Sequence, residues 1–219
     1  MQIIQKPSPN FDNRDGQSVD MLVLHYTGMQ SAEAALARLC DETAKVSAHY
    51  MVSEDGNIFQ LVDENNRAWH AGVSYWRGNS NINQRSVGIE IVNKGHEFGY
   101  CPFPQAQMEA VASLCSDIVA HHKIPPRNVV GHSDIAPTRK KDPGELFDWK
   151  LLADRGIGLF PFQTTNNQQP ATALNQYGYD ITNLPQAITA FQRHFRPNNL
   201  YGIWDDECGK LLAALIEMI

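Results

Sequence analysis

Three residues of this chain could hold a metal ion between them. His25 stands at the carboxyl end of the apolar run "VDMLVLHYT", His132 ends "NVVGHS", and Asp142 follows ten residues later in a loop braced by Pro137 and Pro143. Two imidazoles and a carboxylate make an open tetrahedral zinc set, with the fourth position left for water. Taken singly, each has an ordinary reading. A histidine at a strand end is commonly structural, and an aspartate before proline commonly closes a local turn; only the joint pattern points to a metal. Glu90 is the one charge in the apolar run "SVGIEIVN", and a carboxylate in a strand covered on both faces is costly unless it points into a polar cavity. Lys140 lies two residues before Asp142, in the basic run from Arg139 to Lys141. There a solvated surface lysine is the alternative to a fixed ammonium in a site.

The elements that must position these groups read as alternating strands and helices. "VDMLVLHYT" is a short apolar run of the kind buried on both faces. "SAEAALARLCDE" follows with helical spacing and Ser31 as N-cap. "SAHYMVSEDGNIFQLVD" reads as a hairpin turning at Asp55-Gly56. In "QAQMEAVASLCSDIVAHHKI", Met108, Val111, Ala112, Cys115, Ile118, Val119 and His122 recur at helical period and predict an amphipathic helix packed on the sheet. The implied architecture is α/β, with a mixed central sheet flanked by helices and ligand groups at strand ends.

The runs "VLHYT", "SAHY", "WHAGVSYWRG", "RSVGIEIVN" and "VVGHSDIAPTRKKDPG", in that order over roughly residues 19–149, resemble the zinc-dependent N-acetylmuramoyl-L-alanine amidases, the amidase-2 family of bacterial cell-wall enzymes. The resemblance implies one zinc ion per chain on His25, His132 and Asp142, with Glu90 as the catalytic glutamate and Lys140 as the catalytic lysine. It implies hydrolysis of the amide between N-acetylmuramic acid and L-alanine in peptidoglycan or muropeptides. A non-catalytic peptidoglycan-recognition protein on the same fold is the alternative. A zinc peptidase is a further one, although no H-E-x-x-H is present.

Trp69, His70 and Trp76 surround "WHAGVSYW" and could pack against sugar or peptide; tryptophans in such a stretch could equally be core. His49 stays outside the expected metal set, with a satisfied core histidine as its other reading. His96, His121 and His122 have no motif context, and His194 falls in the tail.

Composition narrows the class. The chain has 219 residues, 42% hydrophobic and 19% charged, with a formal net charge of -6. That balance excludes nucleic-acid binding by phosphate neutralisation, and no apolar run is long enough for a membrane span. Four cysteines without a C-x-x-C pair ask for neither disulfides nor a zinc knuckle. A monomer is expected. The N-terminus lacks a secretory pattern, so the expected place is the cell envelope if a leader was removed, or else the cytoplasm.

The amide-rich stretch 161–175 reads as a linker between a catalytic domain, 1–160, and a small all-α domain, 176–219. The tail "AFQRHFRPNNLYGIWDDECGKLLAAL" resembles the helical peptidoglycan-binding domains of cell-wall hydrolases, with a stabilising extension as the alternative reading. Pro185 in a first turn and Asp205 as N-cap start its two expected helices.

Overall fold

The structure, a computed structural model, describes residues 2–161 and 169–219. Its strands are β1 Ile3–Gln5, β2 Phe11–Asn13, β3 Met21–Tyr26, β4 Tyr50–Val52, β5 Ile58–Gln60, β6 Asn66–Ala68, β7 Ser86–Ile91 and β8 Val129–Gly131. Its helices and helical turns are α1 Ala32–Cys40, α2 Ile82–Arg85, α3 Gly95–Phe98, α4 Gln105–His122, α5 His132–Ile135, α6 Trp149–Asp154, α7 Pro170–Tyr177, α8 Leu184–Phe195 and α9 Asp206–Glu217.

Six strands form one sheet in the order β1-β5-β4-β7-β3-β8. Every neighbouring pair is parallel except the β4/β5 hairpin, so the mixed central sheet flanked by helices is as the sequence implies. The hairpin turns at Gly56, whose φ of +85° suits glycine. β7 and β3 are adjacent interior strands, where helices cover both faces, which is why their sequences are nearly continuous apolar runs. On one side α4 lays Met108, Val111, Cys115 and Ile118 against Leu22, Leu24, Val87 and Ile89. Ser31 caps α1 by accepting from the Ala34 N–H, as its position predicts.

The opposite side is covered by the C-terminal helices. Met21, Val23, Trp76, Ile82, Val130 and Ile135 share one core cluster with Leu174, Tyr179, Phe191, Leu212 and Leu215. The linker expected over 161–175 is corrected at its C-terminal end. Residues 162–168 lie outside those described, and Pro170–Tyr177 is a helix that starts with proline in its first turn and buries Ala173, Leu174 and Tyr177. Amide-rich composition hid these apolar positions because they are few and lie next to polar residues.

Polar contacts join the same two parts. Asp134, buried in α5, accepts from the Gly131 N–H at 2.7 Å, from the Tyr179 hydroxyl at 2.7 Å and from His194 Nδ1 at 2.8 Å. The His194 ring stacks on Trp149, with centroids 3.8 Å apart. The carboxylate that shapes the turn after β8 is therefore satisfied from α8 and from the segment after α7.

A chain ending at Pro161 should therefore lose stability. Uncovering the six sheet-side members of the shared cluster, at about 1.5–3 kcal/mol for a fully buried side chain, forfeits up to on the order of 10 kcal/mol, comparable with the whole stability of a domain. We expect this truncation to unfold at much lower urea than the full chain, or to be insoluble. An unchanged urea midpoint would mean that the helices are dispensable cover.

Candidate metal centre

Sheet register places the first two groups. In the parallel pair β3/β7, His25 stands opposite Glu90, and paired residues of adjacent strands project from the same face. β8 flanks β3 on its other side, with Leu24 opposite Gly131, so His132, the next residue, emerges beside His25. Asp142 is brought back by the loop after α5, where its carbonyl accepts from the Ser133 N–H at 2.9 Å.

His25 Nδ1, His132 Nδ1 and Asp142 Oδ2 converge at 2.9 to 3.1 Å from one another, and all three residues are buried. Hydrogen bonds on the far sides of the rings assign their protons. Ser86 Oγ donates to the Ile82 carbonyl at 2.7 Å, so at 3.2 Å it accepts from His70 Nε2. His70 Nδ1 is then an acceptor, and His25 Nε2–H donates to it at 3.0 Å. His132 Nε2–H donates to the Ala71 carbonyl at 3.0 Å. Both Nδ1 atoms are left as bare lone pairs facing a carboxylate oxygen.

Three acceptors this close, with no proton among them, repel unless a cation lies between them. Zinc–nitrogen bonds of about 2.0–2.1 Å in tetrahedral array put donors roughly 3.3 Å apart, so only a small expansion is needed. The charge states agree. Burial, reinforced by the neighbouring His132, pushes the His25 imidazole down to about 4. At neutral pH His25 is therefore neutral, the state a metal requires.

An open cleft of about 630 Å³ leads to this cluster, lined among others by Tyr26, Trp69, Glu90, His96 and Lys140. Glu90 Oε2 is buried without a hydrogen-bond partner among the described residues. Burial, and then the Asp142 charge, push its carboxyl well above the ordinary range, against the opposing pull of Lys140. Lys140 thus shares the cleft with the metal-type cluster and with the unpartnered carboxylate.

The flanking aromatic residues separate. Trp69 lines the cleft, with Nε1 donating to Asp12 at 2.7 Å. Trp76 does not line this cleft. It is buried against Tyr177 and Tyr179, and the expectation that it meets substrate is corrected because the C-terminal helices require an aromatic plug there. His70 borders the cleft, but both of its ring nitrogens are engaged, so it orients His25 rather than offering a free polar group. Gly88 makes room for it; a Cβ there would come within 2.5 Å of the His70 ring.

Arg139 donates to the Ala71 and Val73 carbonyls at 2.9 and 2.7 Å, tying the 71–73 loop to the loop that carries Asp142. His96 was given no role by the sequence, yet it lies on the cleft wall, with Nδ1 2.9 Å from the Tyr26 hydroxyl and Nε2 3.2 Å from Glu145. No local motif marks that arrangement.

The N-acetylmuramoyl-L-alanine amidase family model matches residues 15–145. The N-acetylmuramoyl-L-alanine amidase AmiD of Escherichia coli K12 is 38% identical over 91% of this chain and 83% of its own. The 1,6-anhydro-N-acetylmuramyl-L-alanine amidase AmpD of Haemophilus influenzae is 34% identical over 67% of this chain and 88% of its own. Among solved structures, the complex of E. coli AmiD with the substrate anhydro-N-acetylmuramic acid-L-Ala-D-gamma-Glu-L-Lys superposes with a TM-score of 0.83 at 37% identity, covering 94% of this chain and 90% of that one. AmpDh3 from Pseudomonas aeruginosa in complex with anhydromuramic pentapeptide gives 0.82 at 35%, covering 96% and 94%. At these coverages the likeness to AmiD and AmpDh3 takes in the C-terminal helices.

His49, behind the cleft, generates a pH prediction. The Gly88 N–H donates to its Nδ1 at 2.9 Å, and its Nε2 lies 3.0 Å from the Asn66 carbonyl and 2.8 Å from Arg14 Nη2. Burial, and then the Arg14 guanidinium, push the ring down to about 3 from 6.5. Below pH 6.5 the unfolded chain takes up a proton that the folded chain refuses, so the contribution is present above that pH and disappears as pH falls towards 3. Urea midpoints of metal-free protein should decline across this window, and His49→Gln should make the decline shallower. Identical slopes for the two proteins would place the titration elsewhere.

Proposed function

The chain belongs to the N-acetylmuramoyl-L-alanine amidase family, and on that premise we propose that it hydrolyses the amide joining the lactyl group of N-acetylmuramic acid to L-alanine in peptidoglycan fragments, with a zinc ion on His25, His132 and Asp142. One observation carries this reading: three metal-ligating side chains meet beside a carboxylate with one oxygen buried and unpartnered, in an open cleft. Zinc, when bound, supplies a Lewis acid that polarises the scissile carbonyl and makes water acidic enough to attack near neutral pH.

The chain's own residues do the rest. Glu90 takes the proton of the attacking water through its free oxygen and returns it to the departing amine of L-alanine. Its proton affinity, raised by burial, makes it a better proton acceptor than an ordinary carboxylate. The Lys140 ammonium offsets the negative charge that grows on the carbonyl oxygen, an interaction strengthened where water is excluded. Trp69 supplies an apolar wall for the sugar or peptide. A recognition protein without chemistry would have no use for Glu90, whose unpartnered burial only costs stability.

Related amidases have been solved with anhydromuramyl peptides, so such a released fragment is the first substrate to offer. The proposed site of action is cell-wall material, in the envelope or after release of fragments; no described helix is long and apolar enough to cross a membrane. For the helical part, 176–219, we propose contact with the polymer through the loop between α8 and α9, where Tyr201 is 79% and Ile203 69% exposed.

Mass spectrometry of the products should find a free L-alanine-terminated peptide and its sugar; any other scissile bond rejects the assignment. Glu90→Gln should lower kcat by roughly 10²- to 10⁴-fold with zinc content unchanged, whereas Asp142→Ala should lose the zinc of this centre and its activity together. Full turnover by Glu90→Gln would reduce Glu90 to a structural carboxylate. In a separate measurement, Tyr201→Ser with Ile203→Ser should pellet less with insoluble wall while cleaving soluble fragments normally; unchanged pelleting removes this loop from polymer contact.

A further inference from the structure

Beyond the first centre, the described residues bring together one other group of metal-ligating side chains: Glu64, His121 and His122, whose donor atoms lie within 4.8 Å of one another. The two histidines close α4, and Glu64 sits in the turn before β6. The Tyr50 hydroxyl donates to Glu64 Oε1 at 2.6 Å and so fixes the carboxylate, leaving Oε2 facing His122 Nε2 at 2.5 Å. His121 is exposed. Its ring meets that of His122 edge-on, with centroids 4.6 Å apart, and makes no hydrogen bond among the described residues.

We propose that Glu64, His121 and His122 form a second site for a divalent transition-metal ion, which ties the turn carrying Glu64 to the end of α4. The donor set, two imidazoles and one carboxylate, is chemically that of the first centre and suits zinc, nickel or copper rather than the oxygen-seeking magnesium or calcium. Three features favour a cation here. The partial negative charge at the carboxyl end of α4, an 18-residue helix, falls on this corner. Asp63 and Asp117 line the same open cleft of about 530 Å³ and add negative potential. Glu64 is already held in place, so only His121, on the surface, must turn to complete three ligands.

Occupation replaces the His122–Glu64 hydrogen bond by ligation and orders an exposed side chain, so this site is the weaker of the two. None of the residues lining this cleft lines the one at the first centre. The second ion therefore acts on stability rather than on the reaction.

The test is zinc titration of the metal-free full chain by calorimetry, with native mass spectrometry for stoichiometry. Wild type should take up two equivalents, the second more weakly. His121→Ala should bind one equivalent and keep its hydrolytic activity, and Glu64→Gln should weaken the second equivalent without moving the first. Asp142→Ala should retain the weaker equivalent alone, which separates this site from the first centre. Saturation of wild type at one equivalent, a second equivalent unchanged in both His121→Ala and Glu64→Gln, or an Asp142→Ala protein that binds no zinc would each overturn the proposal.

Discussion

Three lone pairs held about 3 Å apart in a buried setting are the constraint around which this molecule is organised. Left alone, His25, His132 and Asp142 repel one another and gain nothing from solvent. Such a cluster persists only because each member is fixed from behind by structure that is stable in its own right. The β3/β7/β8 ladder sets two of the three backbones, and the short return from α5 sets the third.

The fixing extends one layer outward and is largely a matter of protons. His25 is oriented by His70, His70 by Ser86, and Ser86 by the Ile82 carbonyl. His132 is oriented by the Ala71 carbonyl, which Arg139 also binds. Loop 71–73 thus serves both the ligand and the loop that carries Asp142. Changes at Ser86 would reach the candidate metal cluster without touching it, because orientation and tautomer of the His25 ring are set through His70.

The C-terminal helices are a further layer of the same construction. Asp134, two residues after His132, is satisfied by Tyr179 and His194, and Arg193 lies 3.5 Å from Glu145, three residues after Asp142. The segments that carry His132 and Asp142 therefore both lean on the tail. Whatever contact this part makes with polymer is added to a packing role visible in the shared core.

The sequence by itself determined the central strands β3, β4, β5, β7 and β8, the principal helices and the caps at Ser31 and Asp205, and it singled out His25, Glu90, His132, Lys140 and Asp142, which the fold brings together. Apolar runs, helical period and cap chemistry are local signals, and a charge such as Glu90 inside an apolar strand carries its own warning of a cavity. Only the tertiary structure decided the rest. Trp69 and Trp76 stand seven residues apart in one motif, yet one faces the cleft and the other the C-terminal helices, because a loop has no period from which to read its faces. The tail read as a separate module because composition records the polarity of a segment and not what covers it. His121 and His122 carried no motif because Glu64, the residue that gives them meaning, comes from a turn 57 or more positions earlier. A metal site is a coincidence of side chains in space, and sequence distance places almost no limit on where its ligands arise.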